Sequence, residues 1–328
     1  MAKPPKGFRD LEYISHQMKK TFFVIANPAS NSGRTESRLS SLRDRLTREG
    51  LCNEFHISKN REEPSALALE AAQSGFSTIV SVGGDGTSSQ VAHGILKSKR
   101  NLKTSLALLP MGTGNDTVRN FGLPQDLDGG ISLLSKGTSN YVDAGCAEFN
   151  LNGLPRLRYF LNSGSLGISA EIAASINLAK EHRRGTLFRG KAIYFLGLLK
   201  GLNSAKAFEV TVCLDDVLSF HGSSLFISVA NGPYFGGGIK VAPKASVTDG
   251  FLQVAVVPNW SKLQLFRAFP AFYTGKYVYD EEVYSSKSHQ IFCKSETEVF
   301  VELDGETCGK TPVSFRLLPR QILMVSPR

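Results

Sequence analysis

The sequence predicts an α/β chain built in two parts, a three-layer parallel α/β unit followed by an antiparallel β unit. Three observations lead there. Strand and helix signals alternate over the first ~140 residues. The β-branched run Thr78-Ile79-Val80-Ser81-Val82 breaks into Gly83-Gly84-Asp85-Gly86-Thr87 and then opens a helix-like stretch near Ser88. After Asp143 the signal shifts to short strands separated by turn residues. At 328 residues the chain exceeds what one compact core usually organises.

The elements follow in order. Thr21 to Ala26 reads as a strand and leads into the loop Asn27-Pro28-Ala29-Ser30-Asn31-Ser32-Gly33. A helix then sets Leu39, Leu42 and Leu46 on one face and stops at Gly50. Cys52 to Ile57 is a second strand, Pro64 opens a helix ending near Gly75, and Leu106 to Leu109 is a fourth strand beyond the glycine turn. This order implies a parallel sheet whose loops 27–33, 83–87 and 110–116 leave the carboxyl ends of strands and converge. The later strands are Arg158 to Leu161, Phe208 to Leu214, Ser224 to Ala230, Leu252 to Val257 and Glu298 to Leu303, interrupted by an apolar helix from Lys191 to Leu202. The expected division is an N-terminal extension 1–20, an α/β domain 21–143 and a β domain 144–315.

Composition narrows the function classes. A hydrophobic share of 41% and a charged share of 20% describe a globular protein. No run reaches the roughly 18 apolar residues that span a bilayer, and Met1 to Lys20 lacks a signal-peptide core, so a cytoplasmic protein is expected. Five scattered cysteines without CxxC spacing fit reduced thiols, and six unclustered histidines argue against zinc. The formal net charge of +9 suits anionic partners such as nucleotides or acidic membrane surfaces. Arg183-Arg184…Arg189…Lys191, just before the apolar helix, is the candidate membrane contact, with a merely solvated face as the alternative. Basic and aromatic residues do not interleave as on a nucleic-acid platform.

A strand that breaks into glycines and opens a helix brings backbone N–H groups to a ligand, usually polyphosphate. Asp85 adds a carboxylate suited to Mg²⁺ or to orienting phosphates, although the turn alone fits an ordinary tight turn. Pro110-Met111-Gly112-Thr113-Gly114-Asn115-Asp116 is a second glycine-rich loop, with the Thr113 hydroxyl and the Asp116 carboxylate beside the first. Leu303-Asp304-Gly305-Glu306 closes a late strand; its Asp-Gly pair suits a hairpin turn, and a carboxylate there suits proton abstraction from a hydroxyl.

Together these segments resemble the diacylglycerol kinase catalytic family, which includes bacterial lipid kinases and the sphingosine and ceramide kinases. The resemblance runs from about Phe22 to the end. It rests on Asn27-Pro28-Ala29-Ser30, Gly83 to Thr87, Pro110 to Asp116, Phe160…Asn162…Gly164…Gly167, Asn231-Gly232-Pro233-Tyr234-Phe235-Gly236-Gly237-Gly238, Ala242-Pro243-Lys244-Ala245…Asp249-Gly250 and Leu303 to Glu306. It implies an NAD kinase/diacylglycerol kinase-like fold: an ATP-binding α/β domain, a C-terminal antiparallel β-sandwich, and a cleft between them. It also implies that 316–328 return to the α/β domain.

The resemblance also assigns residues. ATP contacts carry over onto Asn27, Pro28, Ala29, Ser30, Asn31, Ser58, Gly84, Asp85, Gly86, Thr87, Ser88, Ser89, Gln90 and Thr113. Glu306 takes the general-base role and Asp116 connects to the catalytic centre. A structural Mg²⁺ maps to Asp249 with Ser246 and Phe251. Two departures stand out: Ser89-Gln90 replace the usual Asn-Glu, and Asn31-Ser32-Gly33 displaces the glycine after the loop serine. The expected activity is ATP-dependent phosphorylation of a membrane lipid, diacylglycerol first and a sphingoid base or ceramide second. NAD kinase and a catalytically silent nucleotide- or lipid-binding protein are the alternatives.

Overall fold

A computed structural model describes residues 20–28, 36–60, 62–168 and 206–328. The loop residues Ala29, Ser30 and Asn31, the basic stretch Arg183 to Lys191 and the apolar helix to Leu202 lie outside the described residues.

The N-terminal part begins with β1 (Phe22–Ala26), α1 (Glu36–Arg48), β2 (Glu54–Ile57), α2 (Glu63–Gln73) and β3 (Thr78–Gly83). It continues through α3 (Asp85–Lys97), β4 (Ser105–Pro110), the short α4 (Asp116–Asn120) and α5 (Leu127–Lys136). β2, β1, β3 and β4 lie side by side and parallel. Alternation along β1 explains the layering, since successive side chains point to opposite faces. Phe23 and Ile25 join Ala68 and Ala72 of α2 and Val91 and Ile95 of α3. Val24 and Ala26 join Leu39, Leu42 and Leu46 of α1 and Ile131 and Leu134 of α5. The leucine face expected for α1 is therefore its buried face.

Register places the loops. Ala26 pairs with both Ile57 and Val82, and Gly83 pairs with Pro110. The segments after β1, β2, β3 and β4 consequently leave one edge of the sheet.

The second part contains β5 (Thr138–Leu151), β6 (Leu154–Phe160), β7 (Ser163–Gly167), β8 (Phe208–Leu214), β9 (Val217–Ala230) and β10 (Leu252–Pro258). Then come α6 (Lys262–Thr274), β11 (Tyr284–Ser288), β12 (Gln290–Ser295), β13 (Phe300–Leu303) and β14 (Glu306–Ser326). Pairings among β5 to β13 are antiparallel. Val210, Val212, Val229, Val254, Val256, Ile291, Val301, Val313 and Phe315 fill its core. Helix α6, absent from the sequence reading, packs through Leu265 onto Trp260, Ala255, Val257 and Tyr277.

β14 joins the two parts. Its first residues pair with β13, its middle with β5 and β12, and Leu323 and Met324 run parallel to Ser105 and Leu106 of β4. One sheet thus runs through the molecule.

Candidate active site

The glycine turn is itself the first turn of a helix. α3 starts at Asp85, three residues before the position read from sequence, with Gly84 as an extended N-cap. No side chain caps this end. First-turn N–H groups have no acceptor within their own helix, so Gly86 and Thr87 present donors at the positive end of the helix dipole. Asn27 reaches the same turn, its Nδ2 donating to Thr87 Oγ1 at 3.0 Å. Ser58 is buried, and its N–H and hydroxyl both bond Ala26 O, which places it where β1 and β2 end.

Two glycines decide how closely the loops approach. A Cβ built on Gly112 would lie 2.5 Å from Gly84 Cα, and one on Gly84 would lie 3.1 Å from Gly112 Cα. Backbone against backbone cannot yield at such distances, so only glycine lets the two loops meet. Thr113, at the tip of the second loop, is exposed. Asn115 beside it adopts the left-handed conformation at φ 54°, and its Oδ1 is buried without a protein partner.

The two aspartates have different surroundings. Asp85 Oδ1 accepts from the N–H of Thr117 at 2.8 Å and from its hydroxyl at 2.9 Å, so Asp85 pins α4. Asp116 Oδ1 meets Arg119 at 2.5 Å, and its Oδ2 accepts from Gly237 N at 2.6 Å. Burial, together with the negative charge of Asp85, pushes the Asp116 carboxyl up to about 6. A Cβ on Gly114 would sit 2.9 Å from Asp85 Oδ2 and 3.8 Å from Asp116 Oδ2, so both carboxylates face that glycine.

A polar chain carries this region across to the β part. Asn162 Nδ2 donates to Thr117 Oγ1, Asn120 Nδ2 to Asn162 Oδ1, and Tyr234 N to Asn120 Oδ1, at 2.8 to 2.9 Å. Asn231 bonds the carbonyls of Asp143 and Leu161. The asparagines at 162 and 231 carried the resemblance without a role; here they lock the Gly232–Gly238 loop against α4.

Glu306 arrives from the other side. Leu303 pairs with Glu306 across a two-residue turn in which Asp304 (φ 47°) and Gly305 (φ 88°) are both left-handed. This is the geometry that favours Asp-Gly in a tight hairpin. Asp304-Gly305 thus makes the hairpin turn read from the sequence, and that turn carries Glu306 on its far side. Asp304 Oδ2 accepts from Leu161 N at 2.8 Å, and Oδ1 from Asn162 N and Ser163 N at 2.9 and 3.1 Å. The Ser89 hydroxyl adds a further bond to Asp304. Glu306 Oε2 accepts from Gln90 Nε2 at 2.9 Å and pairs with Arg158. Its Oε1 lies 3.9 Å from where a Cβ on Gly86 would be. A carboxylate thus stands across from the uncapped first turn of α3, its side chain 25% exposed.

The departure at 89–90 acquires a reason. Ser89 bonds Asp304, and Gln90 offers Glu306 a neutral donor where a glutamate would repel it. Arg158 escaped the sequence reading because nothing local marks it; its partner is 148 residues away. Glu302 escaped as well. It is fully buried, accepts from Ser165 Oγ and Gly305 N, and burial pushes it up to about 8.

Ser246, Asp249 and Phe251 share one turn, where the carboxylate expected to hold a metal is paired with a lysine. Asp249 Oδ2 is already neutralised by Lys287 Nζ at 2.5 Å, and its Oδ1 accepts from Phe251 N at 3.1 Å. The turn is also held by Asp143, which accepts from Gly250 N at 2.8 Å. Among the described residues no group of three His, Cys, Asp or Glu side chains is placed to hold a metal ion. The metal expected at this turn therefore stays a proposal, and a lysine ammonium stands beside the one carboxylate that would hold it.

Known proteins resemble this chain over nearly its whole length. Residues 21–147 match the diacylglycerol kinase catalytic domain, and 164–326 match the YegS C-terminal NAD kinase beta sandwich-like domain. The chain is 25% identical over 306 residues to a diacylglycerol kinase of Bacillus subtilis, covering 93% of this chain and 96% of that one. It is also 25% identical over 311 residues to one of Staphylococcus haemolyticus, covering 95% and 89%. A crystal structure of a diacylglycerol kinase from Bacillus anthracis superposes with a TM-score of 0.71 at 25% identity, covering 94% and 98%. With an uncapped glycine helix opposite a hairpin-borne glutamate, and with two domain matches in this order, the chain is a member of the diacylglycerol kinase catalytic family, a family of ATP-using lipid kinases.

Proposed function

We propose that the chain transfers the γ-phosphoryl group of ATP to a primary hydroxyl of a membrane lipid, with diacylglycerol as acceptor and phosphatidic acid as product. The observation that carries this is Glu306, held by Gln90 and Arg158 across from Gly86 in the uncapped first turn of α3. The N–H groups of that turn and the glycines at 84 and 112 suit the triphosphate. Asp85 and Asp116, facing Gly114, suit the Mg²⁺ that accompanies ATP, and the orphan Asn115 Oδ1 offers a further oxygen. When bound, that ion would supply charge neutralisation on the phosphates.

The protein's own residues do the rest. Gln90 and Arg158 fix Glu306 so that its carboxylate can take the hydroxyl proton as the lipid oxygen attacks phosphorus in line. Positioning and electrostatic stabilisation provide most of the acceleration. Among the described residues no helix is long and apolar enough to cross a membrane.

The deciding experiment incubates the pure protein with labelled ATP, Mg²⁺ and a panel of diacylglycerol, sphingoid base, ceramide and NAD. Label in phosphatidic acid is expected. Label in a sphingoid or ceramide phosphate moves the acceptor, label in NADP replaces the reading, and no transfer to any acceptor refutes catalysis.

A further inference from the structure

Helix α6 turns an apolar stripe outward. Leu263, Phe266 and Tyr273 are 57%, 68% and 49% exposed, and Pro270 lies exposed between them. At 100° per residue these positions fall within a narrow arc, while Leu265 faces the core on the other side. Lys262 and Arg267 border the arc on either side, and Lys276 follows the helix. The helix itself contains no acidic residue; Asp280, Glu281 and Glu282 come only after the following turn.

The helix is joined to the rim of the candidate site. Tyr277, just beyond it, donates to Val241 O at 2.5 Å, and a Cβ on Gly275 would meet Pro243 at 2.8 Å. The same loop begins at Gly237, whose N–H bonds Asp116. A surface seated on α6 therefore stands one loop away from the phosphate-binding turn.

We propose that the outer face of α6 is a docking surface for an anionic phospholipid bilayer, with Leu263, Phe266 and Tyr273 entering the interface and Arg267 and Lys276 meeting the headgroups. An exposed apolar stripe bordered by cations is the pattern of helices that lie in the plane of a membrane surface. Charge argues against the chain's own segment 169–205 as the cover, because it holds six Lys or Arg against two Glu and would set basic residues against a basic helix. The proposal deepens the lipid-kinase reading and rests on it for its purpose, but binding is measured apart from turnover.

The test is co-sedimentation of the full chain with phosphatidylglycerol-containing vesicles and with pure phosphatidylcholine vesicles. Leu263→Ser with Phe266→Ser should weaken binding to anionic vesicles about tenfold or more. Arg267→Gln with Lys276→Gln should weaken it about tenfold and flatten its salt dependence. Leu154→Ser with Leu157→Ser, exposed on the β5–β6 hairpin, should change nothing. Turnover of a short-chain, water-soluble diacylglycerol should survive all of these substitutions. Undiminished vesicle binding by the Leu263/Phe266 variant overturns the proposal. So does a wild-type dimer that this variant dissolves, which assigns the face to a second copy. A fall in melting temperature with vesicle binding intact assigns it to segment 169–205. A wild-type protein that binds vesicles yet phosphorylates no lipid refutes the kinase reading and leaves the surface standing.

Discussion

Glu302→Gln isolates the energetic effect of a buried acid beside the proposed base. Glu302 is fully buried, and its two oxygens meet Ser165 Oγ and Gly305 N. Burial raises its folded-state pKa from 4.5 to about 8. The folded protein therefore holds a proton that the unfolded chain gives up above pH 4.5. Wild-type stability from this group is complete below that pH, declines as pH rises, and levels off above about 8. At about 1.4 kcal/mol per unit, the loss between pH 5 and 8 is on the order of 3–4 kcal/mol. Glutamine copies the protonated form: its oxygen can accept from Gly305 N and its amide can donate to Ser165 Oγ. It cannot titrate.

Urea denaturation across this pH range reads the difference. The variant's midpoint should pull ahead of the wild type's with rising pH, reaching roughly 1 M at pH 8. Asp116 also titrates in this window, at about 6, but it does so in both proteins and cancels. Two midpoint curves that stay parallel from pH 5 to 8 would show that Glu302 is not held protonated.

Four further outcomes can be checked. Glu306→Gln should lower turnover about 10²–10⁴-fold while nucleotide still raises the melting temperature; near-normal turnover would remove Glu306 as the base. Gly112→Ala should abolish Mg-ATP binding in calorimetry, because its methyl falls 2.5 Å from Gly84 Cα, and intact binding would mean that the loops can part. Asp85→Ala should lower stability by about 1 kcal/mol through the lost bonds to Thr117 and should also weaken the thermal shift given by Mg-ATP. A destabilised variant with a full shift would leave Asp85 a purely structural part. Lys287→Met should uncover the Asp249 carboxylate and make the melting temperature rise with added Mg²⁺ where the wild type's does not; equal responses would count against the lysine as the built-in cation.

Local chemistry explains which features the sequence disclosed. Strands β1, β3 and β4 and helix α1 are written in short-range periodicity, and the glycine turn announces a tight strand-to-helix junction. Loop convergence followed from parallel topology, and the register of Ala26, Val82 and Pro110 bears it out. The start of α3 was missed because glycine has low helix propensity, yet it is tolerated where backbone must approach ligand. The roles of Arg158, Glu302 and Asn162 could not be read because their partners sit across folded elements. Helix α6 carries Pro270 and four aromatic residues, which hide a helical pattern behind poor formers, and only its Ser261–Gln264 capping box marks where it starts. The lysine at Asp249 was invisible for a simpler reason: Lys287 belongs to another strand.

The return of β14 to β4 has a consequence during synthesis. While the ribosome is still making the β part, β1 to β4 and their helices are already available, but the outer edge of β4 has no partner. An exposed parallel edge of Ser105 to Pro110 invites pairing with another chain. That edge is filled only when residues 323 and 324 emerge, more than two hundred positions later. The parallel sheet is thus among the last parts of the molecule to be sealed, by the strand that began at Glu306. Nascent chains stopped short of residue 323 should be held up at this stage and aggregate, whereas the full chain closes sheet and site together.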